Sequence, residues 1–171
     1  MATSTYSHTI TRTFAHTATH LGGIITSALA ETLLSIGVSV ERMSRVYSYD
    51  EAISAWIAEK SLACMRVTLT RPGGIEVPGY SFDIDYTAWD PSQDLRDQLA
   101  RLRRQLAKEP RVATGTTFEV IAVPRLGYRL SSQPGFSDRT TALPSFEGGY
   151  RHGTAGSGPG ASAVLRSYRI S

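Results

Sequence analysis

The chain has a single cysteine, Cys64, in 171 residues, which excludes an internal disulfide framework and a cysteine-rich zinc site. It lacks any run of about 18 uncharged apolar residues, so no membrane-spanning helix is expected. The first residues, Met1 to Thr13, are rich in Ser and Thr and contain no apolar stretch, so they do not read as a secretory signal. Lysine is nearly absent: 16 of the 18 basic residues are Arg, which favours planar, bidentate or stacking contacts over a solvating coat. The net charge of +3 is too small to imply nucleic acid by itself. A cytoplasmic setting fits these absences. With 41% hydrophobic and 19% charged residues, most of the chain is expected to fold, as one domain or as a small domain with a long tail.

Residues 1–14 alternate between a Thr-rich face and a face carrying Tyr6, His8, Ile10 and Phe14; this period of two predicts an extended arm or edge strand. Leu21, Ile24, Ile25, Ala28, Leu29, Thr32, Leu33 and Ile36 then recur at helical spacing, with Gly37 as a stop. A second helix is expected from Ser48 to about Lys60, opened by a capping pair of Ser48 and Glu51 and carrying Ile53, Trp56 and Ile57 on one face. Two period-two runs follow, 62–70 and 80–87, separated by the Arg71-Pro72-Gly73-Gly74 turn, which predicts a hairpin with one buried side. Asp90, Pro91 and Gln93 predict the start of a third helix whose Leu95, Leu99, Leu102 and Leu106 form a stripe. It is expected to be the most buried helix. Thr116 to Val123 is apolar on both faces, as in a covered strand.

From Pro124 onward the composition changes. These 48 residues hold eight of the 15 glycines and 11 Ser or Thr, and carry six Arg against Asp138 and Glu147, so the segment is +4 and the remainder −1. Such a length without periodicity is unusual inside a compact domain. Yet it contains Tyr128, Phe136, Phe146, Tyr150 and Tyr168, whereas disordered tails are poor in aromatics. It reads as a mobile segment that docks conditionally, and Gly156-Ser157-Gly158-Pro159-Gly160 within it as a flexible loop.

No catalytic constellation assembles. His16 and His20 share a helix face but lack the glutamate of a zinc-binding H-E-x-x-H pattern. Asp83 and Asp85 share a strand face, as paired metal-binding carboxylates do in nucleotidyl transfer, but a solvated sheet face is the better reading. Cys64 reads as a small hydrophobe. Arg96, Arg101, Arg103, Arg104 and Lys108 make a basic helix face that Asp94, Asp97 and Glu109 interrupt, so solvation is favoured over nucleic-acid binding. No cofactor or metal is implied.

The order of arm, helix, helix, hairpin, capped helix, strand and Gly/Arg/aromatic segment resembles a HORMA domain. The run Ser4-Thr5-Tyr6-Ser7-His8-Thr9 leading to Phe14, the run Phe82-Asp83-Ile84-Asp85-Tyr86, and the block Phe146 to Thr154 followed by Gly160-Ala161 look like the bacterial HORMA proteins of antiphage cyclic-oligonucleotide (CBASS) defence systems. The resemblance spans nearly the whole chain. It implies an α+β fold of three helices on an antiparallel sheet, divided into an arm over 1–14, a core over 15–123 and a C-terminal safety belt over 124–171. It implies no enzyme, but a regulator that closes its belt around a closure-motif peptide added to the sheet as a strand. The closed form would activate a cGAS-like nucleotidyltransferase and be reopened by an AAA+ ATPase, and a second HORMA protein could belong to the same system. Phe118, Val120, Tyr128, Phe146, Tyr150, Arg151, His152 and Tyr168 are the expected peptide-binding residues. Thr5, Tyr6, Thr9 and Thr11 are the expected handle for the ATPase. The competing reading is a nucleic-acid adaptor using the Arg-rich tail and the basic helix.

Overall fold

The computed structural model describes residues 2–38, 49–136 and 142–168. Three helices, α1 (Ala2–Ser35), α2 (Asp50–Ala58) and α3 (Leu99–Leu106), pack on one face of a six-stranded sheet. The strands are β1 (Leu62–Thr70), β2 (Glu76–Tyr86), β3 (Arg96–Asp97), β4 (Thr117–Pro124), β5 (Tyr150–Gly158) and β6 (Ala161–Ser167), in the spatial order β3-β5-β6-β2-β1-β4 with every pairing antiparallel.

Helix α1 is the centre of the core. Leu21, Ile25, Leu29 and Leu33 are fully buried, because their spacing puts them on the stripe that faces α2 and the sheet. The helix ends in a Schellman arrangement. Val38 N–H donates to Leu33 O at 3.0 Å and Gly37 N–H to Leu34 O at 3.1 Å, with Gly37 at φ +90°. Gly22 lets α2 approach closely: a Cβ there would meet Ser54 Oγ and lie 2.9 Å from Asp50 O. Ser48, and with it the expected capping pair, lies outside the described residues.

The hairpin of β1 and β2 forms as its alternation requires. Met65, Val67 and Leu69 join Tyr80, Phe82 and Ile84 in the core, while Cys64, Arg66, Thr68, Ser81 and Asp83 lie on the outer face. The other expectations need correction in four places. The N-terminal stretch is helix rather than extended arm, since α1 begins at Ala2. A buried helix that is already nucleated propagates into flanking residues at low cost, even Thr-rich ones. The third helix begins at Leu99, not near Asp90. Asp90 instead holds a local turn by accepting from Ser92 N–H at 3.0 Å, and Arg96–Asp97 pairs with β5. Asp97 Oδ1 accepts from Leu99 N–H at 2.8 Å and starts the helix. Leu95 is therefore 44% exposed and only Leu102 and Leu106 of the stripe are buried, so α1 and not α3 is the most buried helix.

The third correction concerns β4, which is an edge strand with no fully buried residue rather than a covered one. The fourth concerns the C-terminal segment. Its second half, β5 and β6, is built into the sheet, where Ala155, Ala161, Ala163 and Leu165 are at most 1% exposed. The glycine run is not a loose loop: Gly158 pairs with Ala161 across a two-residue turn. Pro159 supplies its first central position and Gly160, at φ +87°, its second. Gly156 and Gly158 are glycines because α1 crosses them; a Cβ on Gly156 would strike Ile24, and one on Gly158 would lie 3.0 Å from Thr17 Oγ1. A core ending at residue 123 would thus lack two of its sheet strands.

Candidate functional site

Strand β4 pairs with β1 from Leu62↔Pro124 to Thr70↔Thr117, and no strand of the described residues pairs with its other side. An unpaired row of backbone N–H and C=O groups is a template for strand addition. Phe118 and Val120 on this strand face inward, opposite Leu69 and Val67. They are half-buried against the core. Glu119, Ile121 and Val123 take the outer face.

The chain that follows β4 is pinned at both of its described ends. At the start, Arg125 N–H donates to Ser61 O at 2.8 Å and Arg125 Nη1 to Lys60 O at 2.9 Å. The Arg125 guanidinium lies between the rings of Tyr86 and Tyr128, 4.7 and 4.8 Å from their centroids. Burial pushes the Tyr86 hydroxyl up to about 12, against the pull of Arg125, and that hydroxyl donates to Leu62 O at 2.9 Å. Further on, Trp56 Nε1 donates to Ser131 O at 2.9 Å, and Phe136 packs on Tyr49 and Trp56 at 4.5 and 4.9 Å. Residues 131–136 therefore sit on the helical side of the molecule, against α2. Phe146 lies on the opposite, outer face of the sheet, with the Arg66 guanidinium 4.7 Å from its centroid and the Tyr168 ring 4.8 Å away edge-on. Tyr168 N–H donates to Gly79 O at 2.9 Å, which fixes that ring beside β2.

The expected peptide-binding residues divide into two groups. Phe118, Val120, Tyr128, Phe146 and Tyr168 surround β4, β1 and the segment between β4 and β5. Tyr150, Arg151 and His152 stand on β5, which β6, β2 and β1 separate from the open edge. His152 is at an irregularity in the β5–β6 pairing, between Arg151 and Gly153; such bulges re-aim a side chain. Its ring turns inward, where Nε2 lies 2.7 Å from Ser167 Oγ and 3.1 Å from Glu109 Oε1. Burial holds the imidazole below its ordinary pKa, and Glu109 opposes that shift. His152 is a lock between the β5–β6 hairpin and the end of α3. Of the handle residues, Thr5, Tyr6, Thr9 and Thr11, the backbone is helical.

Sequence reasoning missed Trp56 as the anchor of 131–136 and Arg66 on the outer face. The available signal for Arg66 was its place as the one charged residue in the run 62–70. Other basic groups are occupied internally. Arg103 Nε donates to Glu31 Oε1 at 2.8 Å, and Arg166 Nε to Asp83 Oδ2 at 2.9 Å. Arg96 lies in β3 rather than on the helix, so the basic helix face is shorter than expected. His16 is exposed and His20 Nε2 donates to Arg96 O at 2.8 Å. Among the described residues, no three His, Cys, Asp or Glu side chains gather as a metal site, and no helix is long and apolar enough to cross a membrane. Cys64 is buried, and burial raises its thiol pKa.

No protein-family model and no curated protein matches the chain, but solved structures do. A chain of the mitotic checkpoint complex superposes with a TM-score of 0.65 at 11% identity, over 91% of this chain and 96% of that one. A chain of the Escherichia coli MS115-1 HORMA:CdnC:Trip13 complex gives 0.57 at 16% identity, over 92% and 90%. Caenorhabditis elegans HTP-1 bound to the HIM-3 closure motif gives 0.54 at 13% identity, over 88% and 89%. The chain has the HORMA fold.

Proposed function

We propose that this protein is a regulatory peptide-binding HORMA protein, in which a closure-motif peptide adds to the free side of β4 and residues 125–149 close over it as a belt. The observation that carries the reading is the position of β4 at the sheet edge, where no strand of the described residues flanks its outer side, followed by a segment that is anchored on α2 at one end and on the outer sheet face at the other. Placement of the β5–β6 hairpin against β2 leaves that edge open, which suits the arrangement that holds a peptide. Main-chain hydrogen bonds from β4 supply affinity, and the pockets flanking alternate peptide side chains supply selectivity.

The bacterial complex of a HORMA protein with CdnC and Trip13 supports a wider role. In the role proposed for this chain, its peptide-bound form activates a cGAS-like nucleotidyltransferase in antiphage signalling, and an AAA+ ATPase reopens it from the N-terminus. Threonine is a poor helix former, so the first turns of α1, with Thr5, Tyr6, Thr9 and Thr11, unwind at small cost to enter an ATPase pore. The protein acts in the cytoplasm and performs no catalysis itself.

The test is selection of binders from a displayed random peptide library with the full chain, followed by hydrogen exchange with and without a selected peptide. Exchange at 117–124 and at 142–149 is expected to slow on binding. Unchanged exchange of the β4 amides at saturating peptide would show that the edge is not the binding site. A nucleotidyltransferase encoded beside this gene is expected to make more cyclic product with the peptide-bound chain than with the free chain.

A further inference from the structure

The outer face of β1 holds two polar side chains whose needs the protein does not meet. Arg66 Nε and Thr68 Oγ1 are both buried, and neither has a hydrogen-bond partner. Thr68 is 1% exposed. The two residues are i and i+2 on one strand, so they point the same way about two strand steps, ~6.6 Å, apart. Both lie next to the open edge strand, since Arg66 pairs with Ile121 and Thr68 with Glu119.

The row through Arg66 is rich in positive charge, while Glu119 stands opposite Thr68 in the next row. Along a single line across the sheet run Ile121, Arg66, Ser81, Arg166 and Arg151. Three of these five are Arg, and Arg151 lies directly opposite Arg166, a pairing that repels. In the adjoining row, Asp83 is already engaged by Arg166 and by the Ser81 hydroxyl. The Arg66 guanidinium stacks on Phe146 at 4.7 Å and also interacts with the Cys64 thiol, while the Nε–H on one edge of it has no hydrogen-bond partner. That edge is one side of the fork that receives a carboxylate in bidentate fashion.

We propose that the peptide captured at β4 carries a carboxylate, and that this group docks on the outer face against Arg66 Nε and the Thr68 hydroxyl, under the edge of Phe146. The inference rests on the peptide-binding reading and adds the chemistry that the peptide must present. A strand added to β4 lies two strand spacings, ~9.6 Å, from β1. An Asp or Glu on its outward side and the Arg66 side chain span that gap over Ile121 or Glu119. The carboxylate accepts from both orphaned donors and neutralises the excess positive charge of the row. Selectivity follows, because a peptide without the acid leaves a guanidinium edge and a hydroxyl buried and unsatisfied.

Peptide selection from a displayed random library, run in parallel on the full-length wild-type chain and on Arg66→Met, tests this. Wild-type winners are expected to share Asp or Glu at one fixed position, and the Arg66→Met winners to lose that preference while keeping the other positions. A selected acidic peptide and its Glu→Gln or Asp→Asn counterpart are expected to differ by roughly ten- to a hundredfold in affinity for the wild-type chain, the range of a charge-assisted pair. They are expected to bind Arg66→Met alike. Thr68→Val removes only the orphaned hydroxyl, so its melting temperature is expected to match or exceed wild type while its affinity for the acidic peptide falls. Wild-type winners with no fixed acid, or an acid preference that survives Arg66→Met, would overturn the carboxylate site and leave peptide binding standing. A lowered melting temperature for Thr68→Val would show that the hydroxyl has a partner inside the fold and would also overturn it. If no library peptide protects the β4 amides, both the site and the peptide-binding reading fall.

Discussion

Leu165→Ala measures whether the C-terminal hairpin belongs to the cooperative core. Leu165 is fully buried on β6, directly opposite Phe82 on β2 and Gly153 on β5. Gly153 has no side chain to move into the void, and the surrounding strands are held in ladders on both sides, so the site collapses poorly. A buried Leu→Ala change of this kind costs about 3–5 kcal/mol. At roughly 2–4 °C per kcal/mol for a chain of this size, the melting temperature is expected to fall by about 6–20 °C. The control is Leu95→Ala, whose side chain is 44% exposed and whose removal is expected to cost less than about 1 kcal/mol. Urea unfolding followed by far-ultraviolet circular dichroism and by tryptophan fluorescence, both in a Trp89→Phe background that leaves Trp56 as the single emitter, reads both. Trp56, packed in the core on α2, reports the helical side, so the two probes share one transition if β5 and β6 fold with the helices. A loss below about 1 kcal/mol for Leu165→Ala, or a hairpin transition separate from the Trp56 transition, would refute the reasoning.

Three further outcomes are expected. His152 sits below its ordinary pKa because it is buried, with Glu109, Ser167 and Tyr150 against its ring; the unfolded chain therefore binds a proton more readily than the folded one. Stability is then full above the unfolded value of about 6.5 and falls as the pH drops below it. Unfolding free energies measured at pH 7.5 and 5.5 should differ less in His152→Gln than in wild type, and an equal difference would show that His152 is not the group responsible. Deleting residues 1–11 is expected to leave the melting temperature within a few degrees of wild type while abolishing ATPase-driven peptide release; normal release would remove the handle idea. Gly156→Val is expected to destabilise by about 1–3 kcal/mol or more through overpacking, because its side chain would run into Ile24; chemical unfolding checks it, and an unchanged midpoint would mean that α1 and β5 are less tightly apposed.

Local pattern determined much of this protein. The helical spacing of Leu21 to Ile36, the stop at Gly37 and the alternation through Met65 and Phe82 each specify one element and one buried face, because period and burial are properties of neighbours in the chain. The resemblance carried by Phe82 to Tyr86 and Phe146 to Thr154 pointed to the fold that the superpositions show. What tertiary structure decided was everything that depends on partners distant in sequence. Asp90 to Gln98 reads as helix, yet Arg96–Asp97 bonds to β5. Phe118 to Val123 is apolar on both faces, yet stands at an edge, because nothing in its own residues says how many strands will flank it. The glycines of 153–160 look like slack, and only α1 and Arg101 lying across them show that they are there for close approach. The same holds at the site. Composition marks 124–171 as unusual, but its division into a pinned crossing and two core strands arises from Trp56, Phe136 and Tyr168 meeting across the fold. Arg66 and Thr68 read as ordinary outward positions of a strand until the chain covers them and leaves their donors without acceptors.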